Sequence, residues 1–177
     1  AVVGTLGLNF QVILPLLARL TFEGGASSYA VLVSAMGAGS VIGALITGAR
    51  GKTGMGVIAG SALAFGGLAM AAAVMPSLAA EIPVLALLGA SAVTFAAAIN
   101  STIQLAADPE MRGRVMALYT VVFLGSTPIG GPLVGFISEV ADPRLALVLA
   151  SISGLLAAAG AWWIGGKRSL RRRLQPA

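Results

Sequence analysis

Ile82-Pro-Val-Leu-Ala-Leu-Leu-Gly-Ala-Ser-Ala-Val-Thr-Phe-Ala-Ala-Ala-Ile-Asn-Ser-Thr-Ile-Gln-Leu-Ala-Ala107 runs for 26 residues without a charged side chain. A helix needs about 20 predominantly apolar residues to cross a hydrocarbon core of ~30 Å, so this stretch is long enough to span a bilayer. Five more charge-free stretches flank it: Ala1–Ala18, Gly24–Ala49, Thr53–Ala80, Val115–Ser138 and Leu145–Gly166, of 18, 26, 28, 24 and 22 residues. Six spans, at about 1–20, 27–49, 54–75, 82–106, 115–137 and 145–165, account for nearly the whole chain, with a basic tail over 167–177. A membrane barrel would need ~10-residue stretches alternating apolar and polar residues, and none alternates here. The fold class expected is all-α, an integral membrane bundle of six transmembrane helices.

Composition agrees. Of 177 residues, 58% are hydrophobic and 10% charged, against about 45–50% and about 25% in soluble domains. The mean hydropathy is +0.97, and so little charge cannot cover a water-soluble globule. The chain has no His and no Cys, which excludes a His or Cys nucleophile, a disulfide framework and a zinc or iron–sulfur site. No metal and no cofactor is expected. The net charge of +5 comes largely from the tail and gives no reason to expect a nucleic-acid partner.

The basic residues set the orientation, because loops rich in Lys and Arg stay in the cytoplasm. Starting inside, the inner connections hold Arg50 and Lys52, then Arg112 and Arg114, then Lys167, Arg168, Arg171, Arg172 and Arg173, nine of the eleven. The outer connections hold Arg19 and Arg144 among the acids Glu23, Glu81, Glu139 and Asp142. Both ends of the segment are expected in the cytoplasm. Trp162 and Trp163 fall at the inner headgroup level, where indoles are enriched, and the tail Lys167-Arg-Ser-Leu-Arg-Arg-Arg173 suits anionic lipid. Ala1 has no Met before it and the first span is the shortest, so the chain reads as the second part of a longer protein.

The spans divide into two sets of three. Span 2 carries Gly37, Gly39, Gly43 and Gly48, with Gly39 and Gly43 in a G-x-x-x-G spacing. Span 5, in the equivalent place, carries Gly125, Pro128, Gly130, Gly131, Pro132 and Gly135. Small residues let helix backbones approach closely in lipid, and Gly/Pro-interrupted spans at corresponding positions point to an inverted repeat. The plain alternative is composition, since Gly is 24 of the 177 residues. Pro128 and Pro132 each remove a backbone donor and crowd the carbonyls of Leu124 and Pro128, which predicts a bend. Gly39, Gly43, Gly125, Pro128, Gly131 and Pro132 are therefore gate or helix-packing candidates.

No charge falls in the middle of a span. The six acids (Glu23, Glu81, Asp108, Glu110, Glu139 and Asp142) are expected at boundaries or in loops, solvated by water. Such carboxylates are poor proton carriers for a membrane site. What remains inside is amides. Asn9 and Gln11 fall near the midplane and are substrate-cavity candidates; two residues apart, they point to nearly opposite sides of a helix, so one of them faces a neighbour. Asn100 and Gln104 lie one turn apart near the inner end of span 4, as helix glue or a gate contact.

Particular residues resemble a family. Asn100-Ser-Thr-Ile-Gln104 through Arg112-Gly-Arg114-Val-Met-Ala-Leu-Tyr119, then Gly125-x-x-Pro128-x-Gly130-Gly131-Pro132-x-x-Gly135, is similar to the C-terminal half of major facilitator superfamily transporters. Asn9-Phe-Gln11 with Leu14-Pro15-Leu-Leu-Ala18, and Tyr29-x-x-Leu-x-Ser34-Ala-x-Gly37-x-Gly39-x-x-x-Gly43-Ala44, resemble helices 7 and 8 of bacterial drug and siderophore exporters of the enterobactin-exporter or macrolide-efflux type. The resemblance implies helices 7–12 of a twelve-helix transporter in the bacterial inner membrane, with a missing N-terminal six-helix half as partner. It also implies export of a hydrophobic or amphipathic small molecule, with proton coupling supplied by the missing half. The superfamily's cytoplasmic motif G-x-x-x-D-R-x-G-R-R has no full counterpart here, because the loop Gly48-Ala-Arg50-Gly-Lys52-Thr-Gly54 lacks the Asp.

Rival readings fare less well. An ion channel needs a ring of carbonyls or charges, and a serine hydrolase needs a base, but Lys52 and Lys167 lie at span ends, so no enzyme is expected. A non-transporting scaffold remains the alternative. The orientation makes a direct prediction on this Cys-free chain. In intact cells an impermeant thiol reagent should label Ser77→Cys and spare Ser169→Cys; the opposite pattern would invert the topology.

Overall fold

The computed structural model describes residues 2–51 and 53–173, apart from the side chains of Leu124 and of residues 167–173. The described chain contains six helical spans long and apolar enough to cross a membrane: Val2–Thr21, Ala26–Arg50, Met55–Ala73, Leu78–Ala106, Arg112–Val140 and Pro143–Gly166. Among the described residues there is no strand. The helix of span 6 continues to Arg173.

Local chemistry sets the ends. Span 2 stops at Gly51, whose φ of 57° takes the left-handed cap that glycine adopts without strain, with its N–H on the Thr47 carbonyl at 3.3 Å. Span 4 starts at Leu78, a turn before the charge-free stretch begins, because the Ser77 hydroxyl accepts from the Ala80 N–H at 3.3 Å. Glu81 thereby falls inside the helix. Span 6 opens with Pro143 at its first position and Asp142 as its cap, the Asp142 carboxylate accepting from the Arg144 N–H at 2.7 Å.

Spans 3 and 6 pack together most extensively, followed by spans 2 and 4 and then spans 3 and 4; span 1 packs on spans 5 and 6. Exchanging span 1 with 4, 2 with 5 and 3 with 6 maps these contacts onto one another; the contact between spans 5 and 6 has no counterpart of similar extent. With three helices per unit, the second unit begins on the opposite side from the first, which is an inverted repeat.

Glycines mark the crossings that this exchange relates. A Cβ on Gly39 would fall on the Ala86 carbonyl oxygen, one on Gly43 would lie 2.6 Å from the Ala90 Cα, and one on Gly89 would strike the Met36 carbonyl. That is span 2 against span 4. Span 5 against span 1 repeats the arrangement, with Gly130 on the Thr5 carbonyl and Gly4 on the Ser126 hydroxyl. Spans 3 and 6 meet where a Cβ on Gly154 would lie 2.9 Å from the Gly66 nitrogen. Around these crossings Ile13, Leu32, Phe65, Leu85, Leu88, Val134 and Leu147 are fully buried.

The two crossings differ in one respect. Spans 2 and 4 are unbroken, whereas spans 1 and 5 are both interrupted. Span 1 consists of Val2–Leu6, a break, Phe10–Leu16 and a wider π-turn over Leu17–Thr21. Span 5 consists of Arg112–Gly125 and Thr127–Val140, separated at Ser126. Ser126 keeps α-helical dihedrals (φ −75°, ψ −25°), and the hydrogen-bond ladder lapses there because Pro128 lacks the N–H that would reach the Leu124 carbonyl. Pro128 thus stands in the first turn of the second segment.

Spans 2 and 5 are also the least covered, with 17% and 18% of their most apolar windows buried against 50% for span 1. Their open faces carry Val41, Ile42 and Leu45, and Leu118, Val121 and Leu133. Gly39→Ala should destabilise the purified protein by at least the ~1–3 kcal/mol typical of overpacking. Gly37→Ala, in the same helix with nothing within 4 Å of its Cβ position, should be neutral or slightly stabilising. Thermal unfolding in detergent, followed by size exclusion, compares the two.

Candidate functional site

The break in span 1 lies beside span 5, with Asn9 against Gly130, while Ser126 of span 5 lies against Gly4 in the first segment of span 1. Gly7, in the break of span 1, lies so close to span 6 that a Cβ there would be 2.8 Å from the Ser153 hydroxyl and 3.2 Å from the Phe65 ring. Asn9 begins the second segment, and its backbone carbonyl accepts from Val12 and Ile13. Its side chain is buried, with the amide nitrogen donating to the Thr5 carbonyl at 2.6 Å. Its Oδ1 is buried without a partner. Of the two amides expected near the midplane, Asn9 faces a neighbouring helix, beside Gly130 of span 5. Gln11 is exposed, on a side of span 1 that the other spans leave uncovered.

The residues of span 5 separate by role. Gly130 makes the close approach, while a Cβ on Gly131 would be 4.0 Å from Val12, an ordinary contact. Gly125 has nothing within 4 Å of its Cβ position, and Pro128 and Pro132 are exposed. Gly39 and Gly43 lie in the crossing with span 4.

A second polar group forms between spans 4 and 5. Gln104 donates to the Asn100 carbonyl oxygen at 2.6 Å, and Asn100 and Tyr119 line the same cavity. Tyr119 stacks on Phe123, with ring centroids 5.5 Å apart and planes inclined by 23°. Asn100, Tyr119, Thr120 and Phe123, with Val93 and Ala96, line a cavity of about 440 Å³. On the other side of span 4, Thr47, Ser101, Gln104 and Arg112 border a second cavity of about 510 Å³, and Val93 and Ala97 line both. The result is an uncharged wall of amide, phenol and stacked rings, with one guanidinium at its edge. Such a wall suits a ligand with an apolar, planar part and a few hydrogen-bonding groups.

Asn100 and Gln104 were legible as a pair one turn apart. Tyr119 enters the sequence reading only as the end of a resembling stretch and Phe123 not at all, although their i, i+4 spacing puts both rings on one face. Arg50, Arg112 and Arg114 are exposed at one end of the bundle; Lys52 lies outside the described residues, as do the side chains of the basic tail.

One expectation is overturned. The charge pattern places Glu81 at a water-solvated boundary, but it is fully buried and neither carboxyl oxygen has a hydrogen-bond partner. The reason is local: the Ser77 cap draws the start of span 4 outward and carries Glu81 into the packed bundle. The nearby Arg144 guanidinium donates to the Met75 carbonyl at 2.9 Å.

Removing the Asn9 side chain tests the crossing. Asn9→Ala strips the partly buried Thr5 carbonyl of its side-chain donor and should cost about 1–3 kcal/mol. Asn9→Leu should do no better, because the apolar side chain restores no donor beside Gly130. Unfolding midpoints in detergent measure both.

A model of the family described as transmembrane secretion effector, within the major facilitator superfamily, matches residues 2–166. No curated protein and no solved structure matches the chain. The six spans, the exchange-related crossings and the extent of that match agree: the chain belongs to the transmembrane secretion effector family of major facilitator transporters.

Proposed function

We propose that this six-helix unit is one half of a secondary active exporter in the bacterial inner membrane, moving a hydrophobic or amphipathic small molecule by alternating access. The observation that carries the reading is the uncharged amide and aromatic cavity of Asn100, Tyr119 and Phe123, opening between spans 4 and 5. Its walls offer stacking and hydrogen bonds without a fixed charge, which selects cargo by shape and amphipathic character. The family is one of transporters, and its resemblance to drug and siderophore exporters favours outward transport.

The open apolar faces of spans 2 and 5 support a six-helix partner half, with membrane lipid covering the remaining outer surface. Rocking of one half against the other would expose the cavity first to one side and then to the other. Nine of the eleven basic residues favour cytoplasmic placement of both ends of this segment. Coupling to proton entry completes the antiport cycle, and the partner half is the expected place for a midplane acid.

The test uses the whole protein as the cell makes it. Tyr119→Ala and Asn100→Ala should raise the half-saturating concentration for export of an amphipathic fluorescent dye about tenfold, the effect of losing ~1.4 kcal/mol of binding. Trp162→Ala, at an exposed site that does not line the cavity, should leave it unchanged. Export unaltered by all three variants would remove the cavity from the transport path and favour a non-transporting scaffold.

A further inference from the structure

Glu81 is the one acid among the described residues that is fully buried, and the proposed transport cycle has so far given it no role. Both of its oxygens lack partners. Burying an isolated carboxylate costs far more than burying the neutral acid, so these surroundings match a carboxyl that holds its proton. The charged form calls for a cation, and one is at hand. Arg144, half-buried at the start of span 6, is near enough for its field to reach Glu81. Its guanidinium is instead docked on the Met75 carbonyl, in the turn between spans 3 and 4.

Other groups stand apart: Arg19 and Glu23, at the outer end of span 1 that packs on spans 2 and 6, are both exposed. Span 3 has no titratable side chain between Met55 and Ala73. Span 2 brings Tyr29 at the Glu81 end and Arg50 at the opposite end; span 5 brings Glu139 at the Glu81 end, with Arg112, Arg114 and Tyr119 towards the other. Beside Arg144, span 6 is preceded by Asp142, whose carboxylate is engaged by the Arg144 backbone N–H. Glu81 also lies in the first turns of span 4, where the helix N-terminus tolerates a negative charge.

We propose that Glu81 and Arg144 form a proton-operated latch where the ends of spans 3, 4 and 6 meet. With Glu81 protonated, Arg144 stays on the Met75 carbonyl. When Arg144 swings across to Glu81, the O–H bond breaks, the proton passes to the water that half-buried Arg144 already meets, and the carboxylate pairs with the guanidinium. The Met75 carbonyl is then left to water. This half accordingly binds a proton of its own, and coupling is not confined to the partner half. The use of the latch in transport rests on the exporter reading; its chemistry does not.

Infrared spectroscopy of the whole protein in liposomes tests the latch without any transport assay, so the two readings fail separately. The wild type should show the carbonyl band of a neutral carboxylic acid at neutral pH, and Glu81→Gln should lose it. Raising the pH should abolish the band. In Arg144→Gln the band should persist to a pH higher by about one unit or more, the effect expected from removing a nearby opposite charge, whereas Arg144→Lys should resemble the wild type. If Glu81→Gln does not fold, the two Arg144 variants carry the comparison. Absence of the band in the wild type, its survival in Glu81→Gln, or an identical pH profile in Arg144→Gln would each overturn the proposal.

Discussion

Helices in lipid gain nothing from burying apolar surface against one another, because the solvent they leave is itself apolar. What holds them is van der Waals contact and close backbone approach, and in this protein that approach depends on glycine. Gly39, Gly43 and Gly89 bring span 2 onto span 4, Gly130 and Gly4 bring span 5 onto span 1, and Gly66 and Gly154 bring span 3 onto span 6. Side-chain packing around Phe65, Leu85 and Leu147 fills in what those contacts position. The cavity lies between spans whose separation these crossings fix.

The crossings are related by an exchange of the two units, but their backbones are not alike. Where span 2 meets span 4, both helices run through without a break. Where span 1 meets span 5, both are interrupted, and side chains take over part of the hydrogen bonding, as Asn9 does for the Thr5 carbonyl. One crossing is built as a pair of rods and the other as a pair of jointed rods. Motion within this half is cheapest at the jointed pair, since a break already forgoes the hydrogen bonds that bending would otherwise cost.

Much of this was legible beforehand, and the reasons are physical. Long charge-free runs announce helices in lipid because nothing else can satisfy a backbone there. The G-x-x-x-G of Gly39 and Gly43 is a local pattern, readable without knowing the partner helix. The geometry of two residues on one helix showed that Asn9 and Gln11 could not both face a cavity, but not which of them would turn inward. The roles of Gly130 and Gly131 differ by one position, which only the partner's backbone decides. Glu81 was misplaced because counting charges treats an acid as the end of a span, whereas a serine cap four residues earlier had already begun the helix. That Tyr119 and Asn100 line one cavity required the fold, because the two sit on different helices and aromatic residues are ordinary in membrane spans.

The connection between spans 5 and 6 consists of Ala141 and Asp142 alone. Two residues reach at most about 7 Å when fully extended, so this tether has almost no slack. Asp142 is also committed to capping span 6. Tilting the outer segment of span 5 about its joint at Ser126 must therefore drag the first turn of span 6 with it, and Arg144 is in that turn. The short link works as a crank: it turns a swing of one helix into a displacement of a guanidinium on the next.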